Sequence, residues 1–263
     1  MIQSNPTVDL QREQEIQEQQ YVFPYHYLPN YDRGRYKQMK SLRWGYQYLS
    51  YLQFVRDEVL KIDFQSMIDF GCGDGRLLRD LNRAAPGKDL VGIDYSERAV
   101  GLARALSPDV EYRCCDIYDD TQMARRFDVG TAIETLEHIP PDDLPRFVRG
   151  MRNRIGDDGH LIVTVPSKNV PVSKKHYQHF DAASITSALS PYFQIETVEF
   201  LNKRSFIGDT LIKKLFHNRL FILNQGATLG ALFRIYCRRY LNAAEHNGAR
   251  VFVHARPSTE SIH

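Results

Sequence analysis

One stretch decides the fold of this 263-residue chain: Met67-Ile68-Asp69-Phe70-Gly71-Cys72-Gly73-Asp74-Gly75-Arg76-Leu77-Leu78. Its apolar start predicts a buried strand, its three glycines predict a tight turn, and its end predicts the first turn of a helix. Glycine lets the backbone bend sharply and approach a ligand without a Cβ clash. The helix is expected to direct unpaired N–H groups and a partial positive charge toward the turn. The stretch therefore predicts a site for a ligand with a hydrogen-bond-accepting or negative group.

The spacing of the glycines narrows the class of ligand. The dinucleotide fingerprint G-x-G-x-x-G is absent, because the glycines stand at 71, 73 and 75 and position 76 is Arg. A phosphate loop of the form G-x-x-x-x-G-K-[ST] is absent as well. The run Asp69-Phe70-Gly71-Cys72-Gly73-Asp74-Gly75 instead resembles the first motif of class I S-adenosylmethionine-dependent methyltransferases. This resemblance implies S-adenosyl-L-methionine as the cofactor, bound in part by Asp69, Gly71 and Gly73.

A second acidic residue follows an apolar strand at a spacing that fits this cofactor. The segment Leu90-Val91-Gly92-Ile93-Asp94 predicts a strand that ends nineteen positions after Gly75. Because a ribose-binding carboxylate is expected about 20 residues after such a turn, Asp94 is predicted to accept the ribose hydroxyls. The alternative for Asp94 is the N-cap of the helix that follows it. Tyr95 is predicted to cover one face of the adenine.

The next two predicted strands lead to further residues of the implied pocket. The segment 110–115 runs into Asp116 and Ile117, which in the resembled family contact the adenine amino group and ring. The alternative for Asp116 is an acid in a surface loop. The strand 127–133 runs into Glu134-Thr135-Leu136-Glu137-His138 and is similar to the fourth motif of the family. That similarity implies that Ile133 contacts the cofactor.

Helical patterns separate these strands, at 77–85, 99–106 and 144–155, and a fifth strand is predicted at 160–166. Alternating strands and helices, with strands that are apolar on both faces, are typical of a doubly wound parallel α/β sheet. The resemblance implies a mostly parallel, seven-stranded, Rossmann-like methyltransferase sheet whose last strand lies antiparallel between the fifth and sixth. Ligands of such sheets bind at the carboxyl ends of the strands, where the predicted cofactor residues lie.

The core is predicted to carry additions before and after it. We divide the chain into four segments. An N-terminal arm and helix (1–61) precedes the S-adenosylmethionine-binding core (62–202). A helical cap insertion (203–248) and a last strand and tail (249–263) follow the core. Arg43 or Tyr46 on the first helix is expected to reach the carboxylate of the cofactor.

The insertion carries an uneven share of the charge. Residues 201–250 contain nine Lys and Arg against two acids, a net charge of +7, so the rest of a chain of net charge +2 carries −5. This excess predicts an anionic part of the acceptor, and a solvated helical surface is the alternative. Helically spaced apolar residues predict a helix that caps the acceptor pocket, packs on its own core or contacts a membrane surface: Leu229, Leu232, Phe233, Tyr236 and Tyr240.

The composition is that of an ordinary globular protein, with 25% charged residues and no run of 18 apolar residues that would predict a transmembrane helix. The Gln- and Glu-rich N-terminus lacks the features of a secretory signal. The four cysteines, at 72, 114, 115 and 237, show no metal-binding or disulfide spacing. We therefore expect reduced thiols and a cytoplasmic location.

Four residues near the strand ends are the candidates for catalysis: Glu134, His138, His176 and His179. Methyl transfer to a hydroxyl gains about 10²–10⁴ in rate from a positioned base, and histidine suits this role because its pKa lies near neutrality. His176 and His179, after the fifth strand, are the first candidates, and His138 is the third. A purely structural role is the alternative for His176 and His179.

The residues around these histidines support two interpretations. Glu134-x-x-Glu137-His138 with His176-x-x-His179 resembles the metal site of small-RNA 3′-terminal 2′-O-methyltransferases. The same Glu-x-x-Glu-His also resembles the ubiquinone-biosynthesis O-methyltransferases, and His176-Tyr177-x-x-Phe180 resembles a loop of bacterial sugar and natural-product methyltransferases. We assign no metal ligand from the sequence.

Together these features predict an S-adenosylmethionine-dependent methyltransferase that acts on a hydroxyl of a small molecule, sugar or lipid-linked intermediate. A metal-dependent RNA 2′-O-methyltransferase is the alternative enzyme, although no RNA-binding module is recognisable. A non-catalytic scaffold with the methyltransferase fold is the alternative of another class. The expected partner is a small-molecule or glycan acceptor with an anionic part. Membrane contact through 203–248 is left open, and nucleic acid is disfavoured as a partner.

Overall fold

The structure, a computed structural model, describes residues 30–32, 35–37, 42–118, 125–205 and 226–258. These ranges do not include the Gln- and Glu-rich N-terminus, most of the rest of the N-terminal arm, or the first half of the insertion. No helix within them is both long enough and apolar enough to cross a lipid bilayer.

A central sheet of eight strands organises the chain. The strands are β3 (Ser66–Phe70), β4 (Asp89–Asp94), β5 (Glu111–Cys114), β6 (Phe127–Ile133), β7 (Ile155–Pro166), β8 (Phe193–Lys203), β9 (Asn242–Ala243) and β10 (Gly248–Pro257). Their order in the sheet is β5-β4-β3-β6-β7-β10-β8-β9. The first five strands of this order are parallel, whereas β10 is antiparallel to both β7 and β8. A separate antiparallel pair precedes the sheet, β1 (Asn30–Asp32) and β2 (Arg35–Lys37).

Six α-helices accompany the sheet within the described ranges. They are α1 (Leu42–Val59), α2 (Arg76–Ala84), α3 (Glu97–Leu106), α4 (Leu144–Asn153), α5 (Ala182–Leu189) and α6 (Gly226–Tyr236). A 3-10 turn follows β6, and a π-helical turn, Cys237–Leu241, extends α6. The side chain of Tyr46 on α1 packs against Phe233 of α6, with ring centroids 5.4 Å apart, so the described half of the insertion lies on the first helix.

Alternation along the strands divides the core into two layers. Successive strand side chains point to opposite faces of a sheet, so Met67 and Ile68 belong to different hydrophobic clusters. One cluster contains Met151 of α4 and Ile185 of α5. The other contains Leu78 of α2 and residues of α1 and α3. Helices therefore cover both faces, as a parallel sheet requires.

The predicted fold class is confirmed, with one more strand than expected. The additional strand is β9, a two-residue segment of the insertion that pairs with Phe200 and Leu201 of β8. β10 lies between β7 and β8, the place that the resemblance implied for it. β7 begins at Ile155 rather than at His160, with a register shift where it pairs with the start of β6.

Candidate functional site

A cavity of about 760 Å³ opens at the carboxyl ends of β3, β4 and β6. All eight residues predicted to bind the cofactor line its wall: Asp69, Gly71, Gly73, Asp94, Tyr95, Asp116, Ile117 and Ile133. Two of the three predicted catalytic residues, His138 and His176, line the same cavity. The topology thus brings together residues that lie up to 107 positions apart in the sequence (from 69 to 176).

The glycine turn is built for close packing. Gly71 and Gly75 both have a φ of 73°, a left-handed conformation in which side chains are rarely found. A Cβ at Gly71 would lie 2.7 Å from the side chain of Thr135, and a Cβ at Gly75 would lie 2.4 Å from the Tyr112 hydroxyl. The turn therefore needs glycine at both positions.

Three amide groups of the glycine turn are paired with the end of the neighbouring strand β4. The N–H groups of Gly71 and Cys72 donate to the carbonyl of Ile93, at 2.8 and 2.9 Å. The N–H of Gly73 donates to Oδ2 of Asp94 at 3.0 Å. Pairing the turn with the end of β4 therefore satisfies these three amides inside the protein. The turn approaches the cavity with its backbone rather than as an anion-binding nest.

Asp94 lies buried at the end of β4. Its Oδ1 accepts the N–H of Ser96 at 2.9 Å, in addition to the bond from Gly73 to Oδ2. The N-cap of α3 is Ser96, whose hydroxyl accepts the N–H of Ala99 at 3.1 Å, so Asp94 does not fill the alternative role. Asp94 also lines the cavity, so its carboxylate can contact a bound ligand.

The other two acids of the wall have contrasting environments. Asp69 is buried and accepts the Thr131 hydroxyl at 2.6 Å, and burial raises its pKa to about 7. Asp116 is exposed and accepts the N–H of Tyr118 at 2.8 Å. Ile117, beside it, is buried. A carboxylate next to an apolar side chain suits a ring with a polar edge.

Opposite the turn, Glu134 and Arg250 form an ion pair that sequence reasoning missed. Glu134 Oε2 accepts Nε of Arg250 at 3.1 Å, and its Oε1 accepts the Thr164 hydroxyl at 3.2 Å. The guanidinium lies 4.0 Å from the centroid of the Tyr51 ring and also donates to Asn202. Both Glu134 and Arg250 line the cavity. The available signal was an Arg directly before the apolar run Val251-Phe252-Val253 of β10.

Glu137 is the most deeply buried acid of the cavity, with only 1% of its surface exposed. Its Oε2 has no hydrogen-bond partner among the described residues. Burial raises the pKa of this carboxyl well above its usual value, and the charge of Glu134 raises it further. A buried acceptor without a partner on a cavity wall is suited to contact a bound molecule.

A relay of hydrogen bonds sets the tautomer of His176. His179 Nδ1 lies 2.8 Å from the carbonyl of Val170 and must donate to it, which leaves Nε2 of His179 as an acceptor. His176 Nδ1 lies 2.8 Å from that Nε2 and therefore donates. Nε2 of His176 is consequently the nitrogen with a lone pair. His179 itself is buried behind His176 and does not line the cavity.

His138 presents its lone pair in the same way. Its Nδ1 donates to the carbonyl of Lys175 at 2.9 Å, so Nε2 is the acceptor, 3.9 Å from Oε1 of Glu137. Burial lowers the pKa of His138 to about 4 and that of His176 to about 3, and neighbouring positive charge adds to both shifts. Both imidazoles are neutral at physiological pH. Ligand atoms of Glu137, His138 and His176 lie within 4.8 Å of one another.

Comparison with known proteins identifies the family. The model of a family described as "Methyltransferase domain" matches residues 31–205, more than half of the chain. The chain belongs to this methyltransferase family. The resemblance to class I S-adenosylmethionine-dependent methyltransferases is thereby confirmed.

Curated relatives of this methyltransferase domain include ubiquinone biosynthesis O-methyltransferases. That of Coxiella burnetii (strain Dugway 5J108-111) is 30% identical over 122 residues, which are 45% of this chain and 50% of the relative. That of Paraburkholderia phymatum is 33% identical over 109 residues, 40% of this chain and 45% of the relative. The chain thus spans about half the length of the curated relatives that it matches.

Solved structures share the fold. The N-methyltransferase NodS of Bradyrhizobium japonicum WM9, in complex with S-adenosyl-L-homocysteine, has a TM-score of 0.54 at 15% identity, covering 81% of this chain and 87% of NodS. Magnesium protoporphyrin IX methyltransferase of Synechocystis PCC 6803, with bound S-adenosylmethionine, has a TM-score of 0.51 at 17% identity. The match covers 83% of this chain and 82% of the Synechocystis protein. At these identities the likeness establishes the fold of the methyltransferase domain.

The residue expected to reach the cofactor's carboxylate from α1 is not Tyr46. Its hydroxyl donates to the carbonyl of Leu229 in α6 at 2.9 Å, and it does not line the cavity. The side chain of Arg43 lies outside the described part of the chain. Tyr48 and Tyr51 are the tyrosines of α1 that line the cavity. The prediction was wrong for Tyr46, because the described helix of the insertion packs on it, and it stays a prediction for Arg43.

Replacing Gly75 with Ala is expected to destabilise the methyltransferase domain strongly. The left-handed conformation alone costs a non-glycine residue about 1–2 kcal/mol, and the Cβ would also overlap the Tyr112 hydroxyl. Gly87 is a matched control, since its φ is 87° but a Cβ there would meet nothing within 4 Å. Urea unfolding should show a larger loss of stability for Gly75→Ala than for Gly87→Ala. Equal losses would mean that the Tyr112 contact does not constrain the turn.

The half-buried His138 and His176 should give the domain an acid-dependent loss of stability. His138 and His176 have folded-state pKa values of about 4 and about 3, below the usual 6.5, so the unfolded chain binds more protons between these limits. Stability is therefore expected to fall as the pH drops from 6.5 toward 4. Urea unfolding at several pH values, with chelator present, should show a smaller fall in a His138→Gln/His176→Gln variant. An identical pH dependence in the variant and the unmodified protein would contradict the assignment.

Proposed function

We propose that this methyltransferase domain transfers the methyl group of S-adenosylmethionine to the oxygen of a hydroxyl on a small-molecule, sugar or lipid-linked acceptor. The observation that carries the proposal is the single cavity that collects the eight candidate cofactor residues and the acceptor nitrogen of His176. The cofactor, when bound, supplies an electrophilic methyl carbon on a sulfonium centre. The volume of the cavity, about 760 Å³, lies within the usual range of small-molecule sites.

The wall of the cavity fits the chemistry of the cofactor. The carboxylate of Asp94 lies on the wall of the cavity and can accept the two ribose hydroxyls. Asp116 can accept from the adenine amino group, with Ile117 against the ring and Tyr95, which is 45% exposed, over its face. Gly71 and Gly73 line the same cavity, where they can lie against the methionine part. These roles follow the family resemblance residue by residue.

His176 is the group that we assign as the base. A neutral imidazole with its lone pair on Nε2 can accept the proton of an acceptor hydroxyl as the new C–O bond forms. His179 fixes the tautomer from behind and is therefore a positioning residue rather than a group that contacts substrate. His138 presents a second acceptor nitrogen to the same cavity. Holding the reacting atoms in line accounts for the larger part of catalysis in such enzymes.

Three observations support the class of acceptor. The curated relatives are O-methyltransferases of ubiquinone biosynthesis, which favours oxygen as the methylated atom. Lys175 and Arg250 line the cavity and can face an anionic part of the acceptor. The described part of the insertion exposes Arg234, Arg238 and Arg239, consistent with a cap over an anionic molecule. The domain boundaries, the anionic acceptor, the membrane contact and the cytoplasmic location remain predictions.

The proposal is tested by methyl transfer from labelled S-adenosylmethionine to a panel of phenols, sugars and lipid-linked alcohols. Each hydroxyl compound is paired with its amine and its deoxy analogue. We expect turnover on at least one hydroxyl compound and none on its deoxy partner. Turnover on amines alone would contradict O-methylation, and cofactor binding without turnover on any compound would favour the scaffold role.

A second candidate function is metal-dependent 2′-O-methylation of RNA. The observation that favours it is the convergence of Glu137, His138 and His176, with Oε2 of Glu137 lacking a partner among the described residues. Two imidazoles and a carboxylate suit Mn²⁺ better than Mg²⁺, which prefers oxygen ligands. Assays with a 3′-terminal RNA oligonucleotide, with and without chelator, separate the two functions. Activity on RNA that Mn²⁺ restores after chelation would favour the second.

A further inference from the structure

A second cluster of histidines lies on the antiparallel half of the sheet, away from the cofactor cavity. It consists of His160 on β7, His254 and Arg256 on β10, and Glu196 on β8. Thr164 of β7 contacts Glu134 of the cofactor cavity. His160 lies four residues before Thr164, or about 13 Å away along an extended strand. The cavity beside this cluster shares no lining residue with the larger one.

The four side chains form a closed ring of polar contacts. Arg256 donates to Nε2 of His160 at 3.0 Å, so the proton of His160 is on Nδ1. His160 Nδ1 donates in turn to Nε2 of His254 at 2.9 Å. Nδ1 of His254 and Nε of Arg256 lie 3.4 Å from the two oxygens of Glu196. Two imidazole nitrogens of adjacent strands therefore face each other across a single proton.

We propose that His160, His254 and Glu196 form a binding site for a divalent transition metal such as Zn²⁺. Ligand atoms of the three residues lie within 4.8 Å of one another. Tetrahedral Zn²⁺ with bonds of about 2.0–2.1 Å separates its ligands by roughly 3.4 Å. The two rings need to part by about 0.5 Å. Glu196, which is 37% exposed, needs to turn one oxygen from Nδ1 of His254 toward the metal.

Binding at this site balances without the release of a proton. The metal takes Nδ1 of His160 and Nε2 of His254, and the proton of His160 moves from Nδ1 to its other nitrogen. Arg256 then withdraws from His160 and stays with the second oxygen of Glu196. Two histidines and one carboxylate, with water in the remaining position, are a common zinc ligand set.

The charge around the cluster favours a cation. The adjacent cavity, of about 600 Å³, is lined by Glu58, Asp63 and Asp158 together with Lys61 and Arg256. Lys61 pairs with Glu58 at 2.6 Å, and Arg256 pairs with Glu196. Asp63 and Asp158 thus leave an excess of two negative charges.

A metal at this position would connect β7, β10 and β8. A ligand that binds the folded state alone raises its stability, so Zn²⁺ should raise the melting temperature. The site lies apart from the proposed cofactor cavity, and its occupation is a property separate from methyl transfer.

The test is Zn²⁺ titration of untagged, chelator-treated protein by calorimetry, with Co²⁺ absorption as a second probe of tetrahedral geometry. We expect His160→Ala and His254→Ala each to lose one bound equivalent and the rise in melting temperature. Glu196→Gln should lower the affinity of this site for Zn²⁺ by at least about tenfold. Arg256→Gln should raise the affinity for Zn²⁺, because a competing cation is removed.

Two controls keep the result specific. His246→Ala removes an exposed histidine outside the cluster and should leave binding unchanged. His138→Ala/His176→Ala identifies any equivalent that belongs to the larger cavity. Because Glu196 and Arg256 are surface residues, their opposite effects test the site even if a histidine variant fails to fold. Absence of Zn²⁺ binding, or binding that only His138→Ala/His176→Ala abolishes, would overturn the proposal.

Discussion

Replacing His176 with Ala is expected to lower kcat for methyl transfer by about 10²–10⁴, the usual contribution of a positioned base. The hydrogen bond from its Nδ1 to His179 leaves Nε2 as the acceptor nitrogen at the cavity wall. An alanine offers no acceptor there, whereas the residues that hold the cofactor remain unchanged. Steady-state kinetics should therefore show a fall in kcat, with the affinity for S-adenosylhomocysteine kept within a few-fold.

His179 provides the matched control for this effect. It does not line the cavity, so His179→Ala should cost less than His176→Ala and should alter the pH profile of kcat. His179→Gln, whose amide oxygen can accept from Nδ1 of His176, should recover part of the lost activity. A His176→Ala variant with unchanged kcat would remove His176 from catalysis and leave His138 as the candidate base.

Replacing Asp94 with Ala is expected to weaken the binding of S-adenosylhomocysteine by roughly 1.5–3 kcal/mol, or about tenfold to a hundredfold. The carboxylate is buried at the end of β4 and is the proposed acceptor for the ribose hydroxyls. The same change leaves the N–H groups of Gly73 and Ser96 without their acceptor. Calorimetric titration of the variant measures the loss of affinity.

Asp109→Ala controls for the removal of one acid, because Asp109 is exposed and lies outside the cavity. Its affinity should match that of the unmodified protein. Asp94→Asn, which keeps the shape and one acceptor oxygen, should fall between the two. An affinity for Asp94→Ala equal to that of the control would show that the ribose lies elsewhere.

The cofactor half of the cavity was predictable from the sequence because its residues follow strands. Asp69, Asp94 and Asp116 each come at or just after the end of a parallel strand, and parallel strands end at one edge of the sheet. Local patterns of strand, turn and helix therefore suffice to bring them together. The structure places all three on the wall of one cavity.

The acceptor half depends on contacts that local patterns do not specify. Arg250 contacts Glu134, which lies more than a hundred residues earlier in the chain. This contact exists because β10 inserts between β7 and β8. His176 and His179 are equivalent in the sequence, yet only His176 faces the cavity, since the path of the loop decides which ring is buried. The position of the Tyr46 side chain could not be predicted from local patterns either, because it depends on the packing of α6.

Hydrogen exchange of the protein with and without S-adenosylhomocysteine locates the cofactor on the chain. The amides of Gly73, Ser96 and Tyr118 donate to acids of the cavity wall, and their exchange should slow when the ligand is bound. The amides of β8 on the far side of the sheet should be unaffected. Slower exchange at all three positions is the result that we predict. Binding without slower exchange at these positions, or no binding, would contradict the placement of S-adenosylmethionine in this cavity.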